Sequence, residues 1–192
     1  MKTFATAIAA AVLGFGLNTA AHADSVYFKN PINFAGTGCP ANSIAVSGAN
    51  SATLSILFDQ YDAGNNSITG LNRSACSFAV PVHVPQGMQV SIMTADWQGF
   101  AQGRTQLSRK YFFAGAPAQP WLRNNYNSGG GRDFLERDNL IHSTTTWAPC
   151  GRDVQLRINS NIRTLGGNSY MAVDTVDLQN RVVFRVQWRN CR

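Results

Sequence analysis

Period-two alternation of apolar side chains, an even set of widely spaced cysteines and turn residues at short intervals predict an all-β chain. The expected architecture is an antiparallel two-sheet β-sandwich with two disulfides, a β-barrel being the alternative closure. Leu54, Ile56 and Phe58 alternate with Thr53 and Ser55, and Cys76, Phe78, Val80, Val82 and Val84 alternate with Ser77, Ala79, Pro81 and His83. Val90 with Ile92, Val154 with Leu156 and Ile158, and Val182 with Phe184, Val186 and Trp188 repeat the pattern. Successive side chains on a strand point to opposite faces, so each run puts one face in a core and one in water. Ala63-Gly64-Asn65-Asn66 and Leu165-Gly166-Gly167-Asn168 supply turns between runs. Pro81 and Pro85 cannot donate to a ladder, which predicts an edge position or a bulge for their strand. The stretch from Gly115 to Gly131, rich in Gly, Pro, Ala and Asn, reads as a long loop within the domain.

Lys2, the apolar run from Ala5 to Leu17 and the small-residue site Ala21-His22-Ala23 read as a secretory signal peptide over residues 1–23. The remaining chain, 24–192, is expected to form a single secreted β-sandwich domain. The apolar run is shorter than the roughly 20 residues of a membrane-spanning helix, and no later segment approaches that length. A secreted or periplasmic location follows, without membrane insertion. Cys39, Cys76, Cys150 and Cys191 all survive cleavage, and an even count in an exported chain indicates disulfides. No C-x-x-C pair is present, so no metal and no cofactor are expected. Of three possible connectivities, Cys39 with Cys76 and Cys150 with Cys191 is favoured because each closes a loop within one half of the chain.

Several short motifs occur in a fixed order: Gly36-Thr37-Gly38-Cys39-Pro40, Leu54-Ser55-Ile56-Leu57-Phe58-Asp59-Gln60-Tyr61, Arg73-Ser74-Ala75-Cys76 and Val84-Pro85-Gln86-Gly87. Trp147-Ala148-Pro149-Cys150-Gly151 and Gln187-Trp188-Arg189-Asn190-Cys191 complete the set. Together they resemble the signature of the small secreted proteins grouped as domain-of-unknown-function family 4360. The resemblance spans nearly the whole mature chain. It implies a secreted, disulfide-bonded domain and brings no catalytic residues.

Catalytic constellations are sparse. His83 and His142 are the histidines of the mature chain, and neither adjoins a Gly-x-Ser-x-Gly elbow or a free thiol. Asp133, Glu136 and Asp138 form the densest acidic group, but Arg132 and Arg137 are interleaved with them, which suggests ion pairs on a solvated turn or short helix. Asp174 and Asp177 lack the loop of a calcium site. Gly129-Gly130-Gly131-Arg132 lacks the Gly-Lys-Ser/Thr ending of a phosphate loop and reads as a flexible turn.

The charge is more informative. The full chain carries a formal net charge of +6, and after the signal Lys29 and Lys110 are its only lysines. Arginine makes forked hydrogen bonds to carboxylate, sulfate and phosphate. By alternation Arg181, Arg185 and Arg189 share the face opposite Val182, Phe184, Val186 and Trp188, the last expected in the core; Arg157 lies opposite Leu156 and Ile158. If those strands pair, the four guanidinium groups form one stripe. Trp97, Trp121, Tyr126 and Trp147 occur where strand alternation lapses, and Trp121 and Tyr126 are candidate contacts for a sugar or a protein. These surfaces predict a noncatalytic binding protein for an extracellular or cell-envelope component, such as an anionic glycan. The rival is a secreted protein inhibitor or effector acting through residues 115–131, with an enzyme using the Glu136 region as a third reading. Export and the lack of a recognisable motif disfavour nucleic acid.

Overall fold

The structure, a computed structural model, describes residues 25–116, 121–140, 147–173 and 182–191, without the side chains of 92, 93 and 182–187. The expected signal peptide, His142, Asp174, Asp177 and Arg181 lie outside the described residues. Among the described residues eleven antiparallel strands follow in order: β1 (Tyr27–Phe28), β2 (Asn33–Ala35), β3 (Ile44–Ser47), β4 (Thr53–Phe58), β5 (Asp62–Gly64) and β6 (Arg73–His83). Then come β7 (Met88–Phe113), β8 (Leu122–Asn139), β9 (Val154–Thr164), β10 (Tyr170–Ala172) and β11 (Val182–Asn190). They join in the order β1-β6-β9-β7-β11-β4-β3, with β8 attached to β7, β2 to β6, and β10 bridging β5 and β7.

One strand explains how this ladder becomes two layers. β7 has 26 residues, and at about 3.3 Å each it would run about 85 Å if straight, far beyond the width of such a domain. It must bend. Residues 88–97 pair with β11, residues 100–102 with β10, and residues 105–113 with β9. β8 accompanies it along the other side. One layer is therefore β3-β4-β11 with the first half of β7, and the other is β1 and β2 with β6, β9 and the second half of β7. The bend falls where the β7–β8 register shifts between Ala101 and Gly103, opposite the segment from Arg132 back to Ser128. Gly131 has φ +77°, and a Cβ there would lie 2.3 Å from Phe100 Cζ. The triple glycine is thus a corner inside a strand, the usual role of glycine at a bulge, and not a free turn.

Between the layers Leu54, Ile56 and Phe58 of β4 meet Phe78 and Val80 of β6 and Leu156 and Ile158 of β9, all buried as the alternation predicts. Trp97 stacks on Phe78 at 6.2 Å between ring centroids. Cys39 joins Cys76 and Cys150 joins Cys191, the favoured connectivity. By constraining the unfolded chain, each bridge contributes about 3 to 4 kcal/mol.

Four expectations are corrected. β6 is an interior strand, with β9 on one side and β1 and β2 on the other. Pro81 is tolerated because its backbone faces the interval between β2 and β1, where its carbonyl accepts from Lys29 N at 2.7 Å. Residues 122–131 belong to a strand and not a loop, because β7 supplies a ladder for 122–128 and 129–131 form the bulge at the corner. Trp97 is fully buried on β7, whereas Trp188 is 49% exposed. β4 pairs with β11 only as far as Arg185, so Trp188 lies past the end of the neighbouring strand in its own layer.

Candidate functional site

The β7–β8 hairpin has an inner and an outer side, and both are polar. On the inner side Arg109 Nε and Nη2 donate to Asp138 at 2.8 and 2.5 Å, and Nη2 also donates to Asn124 Oδ1 at 2.7 Å. Tyr111 donates its hydroxyl to Asp138 at 2.5 Å and accepts from Trp97 Nε1 at 2.6 Å. Glu136 accepts from Asn124 Nδ2 at 2.6 Å and from the Tyr126 hydroxyl at 2.9 Å. Burial alone would lower the Arg109 pKa, but the hydrogen bond and charge of Asp138 outweigh it and hold the guanidinium more firmly protonated than usual. Burial, then the Asp138 charge, push the Tyr111 phenol well up. Arg109 and Asp138 are both buried, so this network ties the two halves of β8 together across the glycine corner. The acidic group is therefore not a solvated turn or short helix. Glu136 and Asp138 face inward, and Arg137 pairs with Asp96 of β7 at 2.7 Å instead of with its sequence neighbours.

Outward-facing residues of β6, β9, β7 and β8 form a different surface. Register places Arg73, Arg163, Gln106 and Asn125 on one rung, and Ala75, Asn161, Ser108 and Arg123 on the next. Ser77, Asn159 and Lys110 follow, then Ala79, Arg157 and Phe112. Trp121 immediately precedes β8, with Lys110 Nζ 5.7 Å from the centroid of its ring. An open depression of about 400 Å³ lies among Arg73, Arg163, Arg123 and Trp121, floored by Gln106, Ser108 and Asn161. Gln106 is held by its donation to Asn125 Oδ1 at 2.7 Å. No carboxylate occupies these rungs, and among the described residues none of Arg73, Arg123, Arg157 and Arg163 forms an ion pair. The face combines forked donors for an anion, amide and hydroxyl groups, and one exposed indole.

The sequence-predicted residues divide accordingly. Arg157 and Trp121, expected on separate surfaces, come together on this face. Tyr126 is buried and faces inward to Glu136, so it is not part of an exposed contact. β9 and β11 do not pair with each other, so Arg157 does not share a ladder with Arg185 and Arg189 as the expected stripe requires. They flank opposite ends of β7, with Arg157 opposite Phe112 and Arg189 opposite Gln89. Arg185 has its backbone on the rung of Thr53 and Thr94. The Arg189 guanidinium lies 4.1 Å from the centroid of the Trp147 ring and donates to Gln89 at 3.3 Å. The sequence alone does not single out Arg73, Lys110, Arg123 and Arg163. Arg163 shares the parity of Arg157 along β9, a signal that reading further along the strand reveals; the other three join through pairing between distant segments.

At the far end of the same sheet, Asp153 accepts from Lys29 at 2.7 Å and lies 2.9 Å from His83 Nδ1. Partial burial alone would raise the Asp153 pKa. The Lys29 hydrogen bond, the Val84 amide and the nearby charges outweigh it and hold the carboxyl below its ordinary value.

The model of the family described as Domain of unknown function (DUF4360) matches residues 30–191, from just before β2 through Cys191. The chain belongs to this family. An uncharacterized secreted protein of Arthroderma benhamiae is 28% identical to the DUF4360 chain over 171 residues, covering 83% of this chain and 70% of the relative. With its two disulfides, the DUF4360 chain is an exported protein, secreted or periplasmic. Among solved structures, a carbohydrate-binding module in complex with β-1,4-galactotriose aligns at a TM-score of 0.33 and 11% identity, covering 81% of this chain and 88% of the other. The enzymatically active domain of tailspike protein 4 from bacteriophage CBA120 aligns at a TM-score of 0.26 and 11% identity, covering 83% of this chain and 19% of the other. At these scores neither likeness carries an argument about what the DUF4360 chain binds. Among the described residues no helix is long and apolar enough to cross a membrane.

Proposed function

We propose that the outer face of β6, β9, β7 and β8 binds an anionic glycan outside the cytoplasm, and that the protein acts by binding and not by catalysis. The observation that carries this reading is a sheet face that carries Arg73, Arg123, Arg157 and Arg163 together with Trp121 and no carboxylate on the arginine rungs. Arginine recognises carboxylate and sulfate groups bidentately, and an indole stacks on the apolar face of a sugar ring. Gln106, Ser108 and Asn161 can hydrogen-bond hydroxyls between the charged groups.

The test compares two triple variants of equal net charge on heparin and alginate resins under a salt gradient. Arg73→Gln with Arg123→Gln and Arg163→Gln should elute well before a control carrying Arg132→Gln, Arg137→Gln and Arg152→Gln. Equal elution of the two variants, or no retention of the wild type, overturns the proposal, since diffuse attraction depends on net charge and not on geometry.

A further inference from the structure

A second depression, of about 570 Å³, opens where β5, β7 and β10 meet, lined by Asn65, Asn66, Gln102, Asn168, Ser169 and Tyr170. Its chemistry differs from that of the basic face. The lining consists of carboxamides, a hydroxyl and a phenol, and among the described residues no side chain of permanent charge lines it. A carboxamide offers donor and acceptor side by side, and a sugar hydroxyl is likewise both. An acidic group finds no counter-charge in it. Uncharged polyhydroxylated rings match this wall better than anions do.

The wall is preformed. Asn65 N donates to the Ser169 carbonyl at 3.0 Å, and its side-chain amide donates to the Gly167 carbonyl. Arg104 N donates to Ser169 Oγ at 3.0 Å. Two glycines permit this closeness: a Cβ on Gly64 would lie 2.1 Å from the Ser169 carbonyl oxygen, and one on Gly103 would lie 2.5 Å from Ser169 Oγ. Both have positive φ, +105° and +67°. Tyr170, half-exposed with its ring centroid 6.4 Å from that of Phe100, supplies an aromatic surface at the rim. Such prior ordering lowers the entropic cost of binding.

The two depressions are neighbours along one strand. Gln102 lines the uncharged one and Gln106 the basic one, four residues apart on β7 or about 13 Å at the usual rise. Arg104, exposed, lies between them. We infer that the uncharged depression is a neutral-sugar subsite of the same binding surface, so that the ligand is a heteropolysaccharide carrying acidic and uncharged sugars in one chain. This rests on the anionic-glycan reading of the basic face.

Calorimetric titration with two oligosaccharides separates the parts: hyaluronan fragments, which alternate uronate with N-acetylhexosamine, and alginate fragments, which contain uronates alone. Gln102→Ala with Asn168→Ala should weaken hyaluronan binding roughly tenfold and alginate binding less than about twofold, the loss expected from one or two net hydrogen bonds. The triple variant at Arg73, Arg123 and Arg163 should weaken both. If the amide variant weakens neither ligand, or both equally, the subsite is overturned while the basic-face reading stands. If the arginine variant leaves both affinities unchanged, or the wild type binds neither ligand, the basic-face reading fails and the subsite with it. Thermal melting checks the fold of each variant, and Gln102→Ser alone replaces the amide pair if that pair does not fold.

Discussion

On the inner side of the β7–β8 hairpin Arg109 is 1% exposed and bound to Asp138 and Asn124, while Arg123, the residue before Asn124, points outward with no ion-pair partner among the described residues. The two guanidinium groups belong to neighbouring rungs of one hairpin. What separates them is the side of the sheet each one faces. A buried guanidinium must be paired or the fold loses several kcal/mol, so it is committed to the structure. An exposed one costs the fold little, which leaves its donors to a ligand.

The largest expected effect breaks the inner side. Arg109→Met strands the Asp138 carboxylate in the interior and should cost about 3 to 5 kcal/mol in denaturant unfolding. Arg123→Met, at an outward position with no ion-pair partner among the described residues, should cost about 0.5 kcal/mol or less. Similar losses for the two would show that side of the sheet does not govern the commitment of these arginines.

A smaller effect is expected at Glu136, which receives Tyr126 and Asn124. Glu136→Gln keeps the side-chain volume and one acceptor, and should cost about 1 kcal/mol. The Tyr126 phenol is pushed up by burial first and then by the Glu136 charge, so it should ionise at lower pH in this variant, as ultraviolet titration can follow. An unchanged Tyr126 titration would place Glu136 outside the network. The same substitution should leave intact any activity found in the purified protein; a large loss of turnover without unfolding would revive the enzyme reading.

The smallest effect sharpens the outer side, at Asp153. Its folded pKa is depressed below the ordinary 3.8, so its contribution to stability is present above that value and is lost as pH falls through the folded pKa. Lys29→Met removes the hydrogen bond and the charge that do most to lower it and should raise the Asp153 titration midpoint measured by carboxyl NMR. A midpoint that does not move would mean that the Val84 amide and His83 alone hold the carboxylate.

Much of this molecule is legible without coordinates. The alternation of Leu54, Ile56 and Phe58, and of Cys76 through Val82, identifies buried strand faces because the period of two is a local property of the backbone. The cysteine pairing follows from loop economy, and the outward direction of Arg157 from its parity with Leu156 and Ile158. Trp97 and Trp188 read in reverse, since their burial depends on what surrounds them: Phe78 of β6 packs against the first, whereas β4, the strand beside β11, stops short of the second.

The candidate site divides along the same line. That Arg157 points outward is local and was readable from the sequence alone; that Arg73, Arg123, Arg163 and Trp121 join it is not, because β6, β9, β7 and β8 meet through ladders between distant segments. The triple glycine marks a break in the alternation, but only the packed layers show that β8 turns a corner there and delivers Asn124 to Glu136. Alternation assigns a side chain to one of two faces. Which strands lie beside it, and so which charges share its face, is decided by pairings whose free energy appears only when the whole sheet closes.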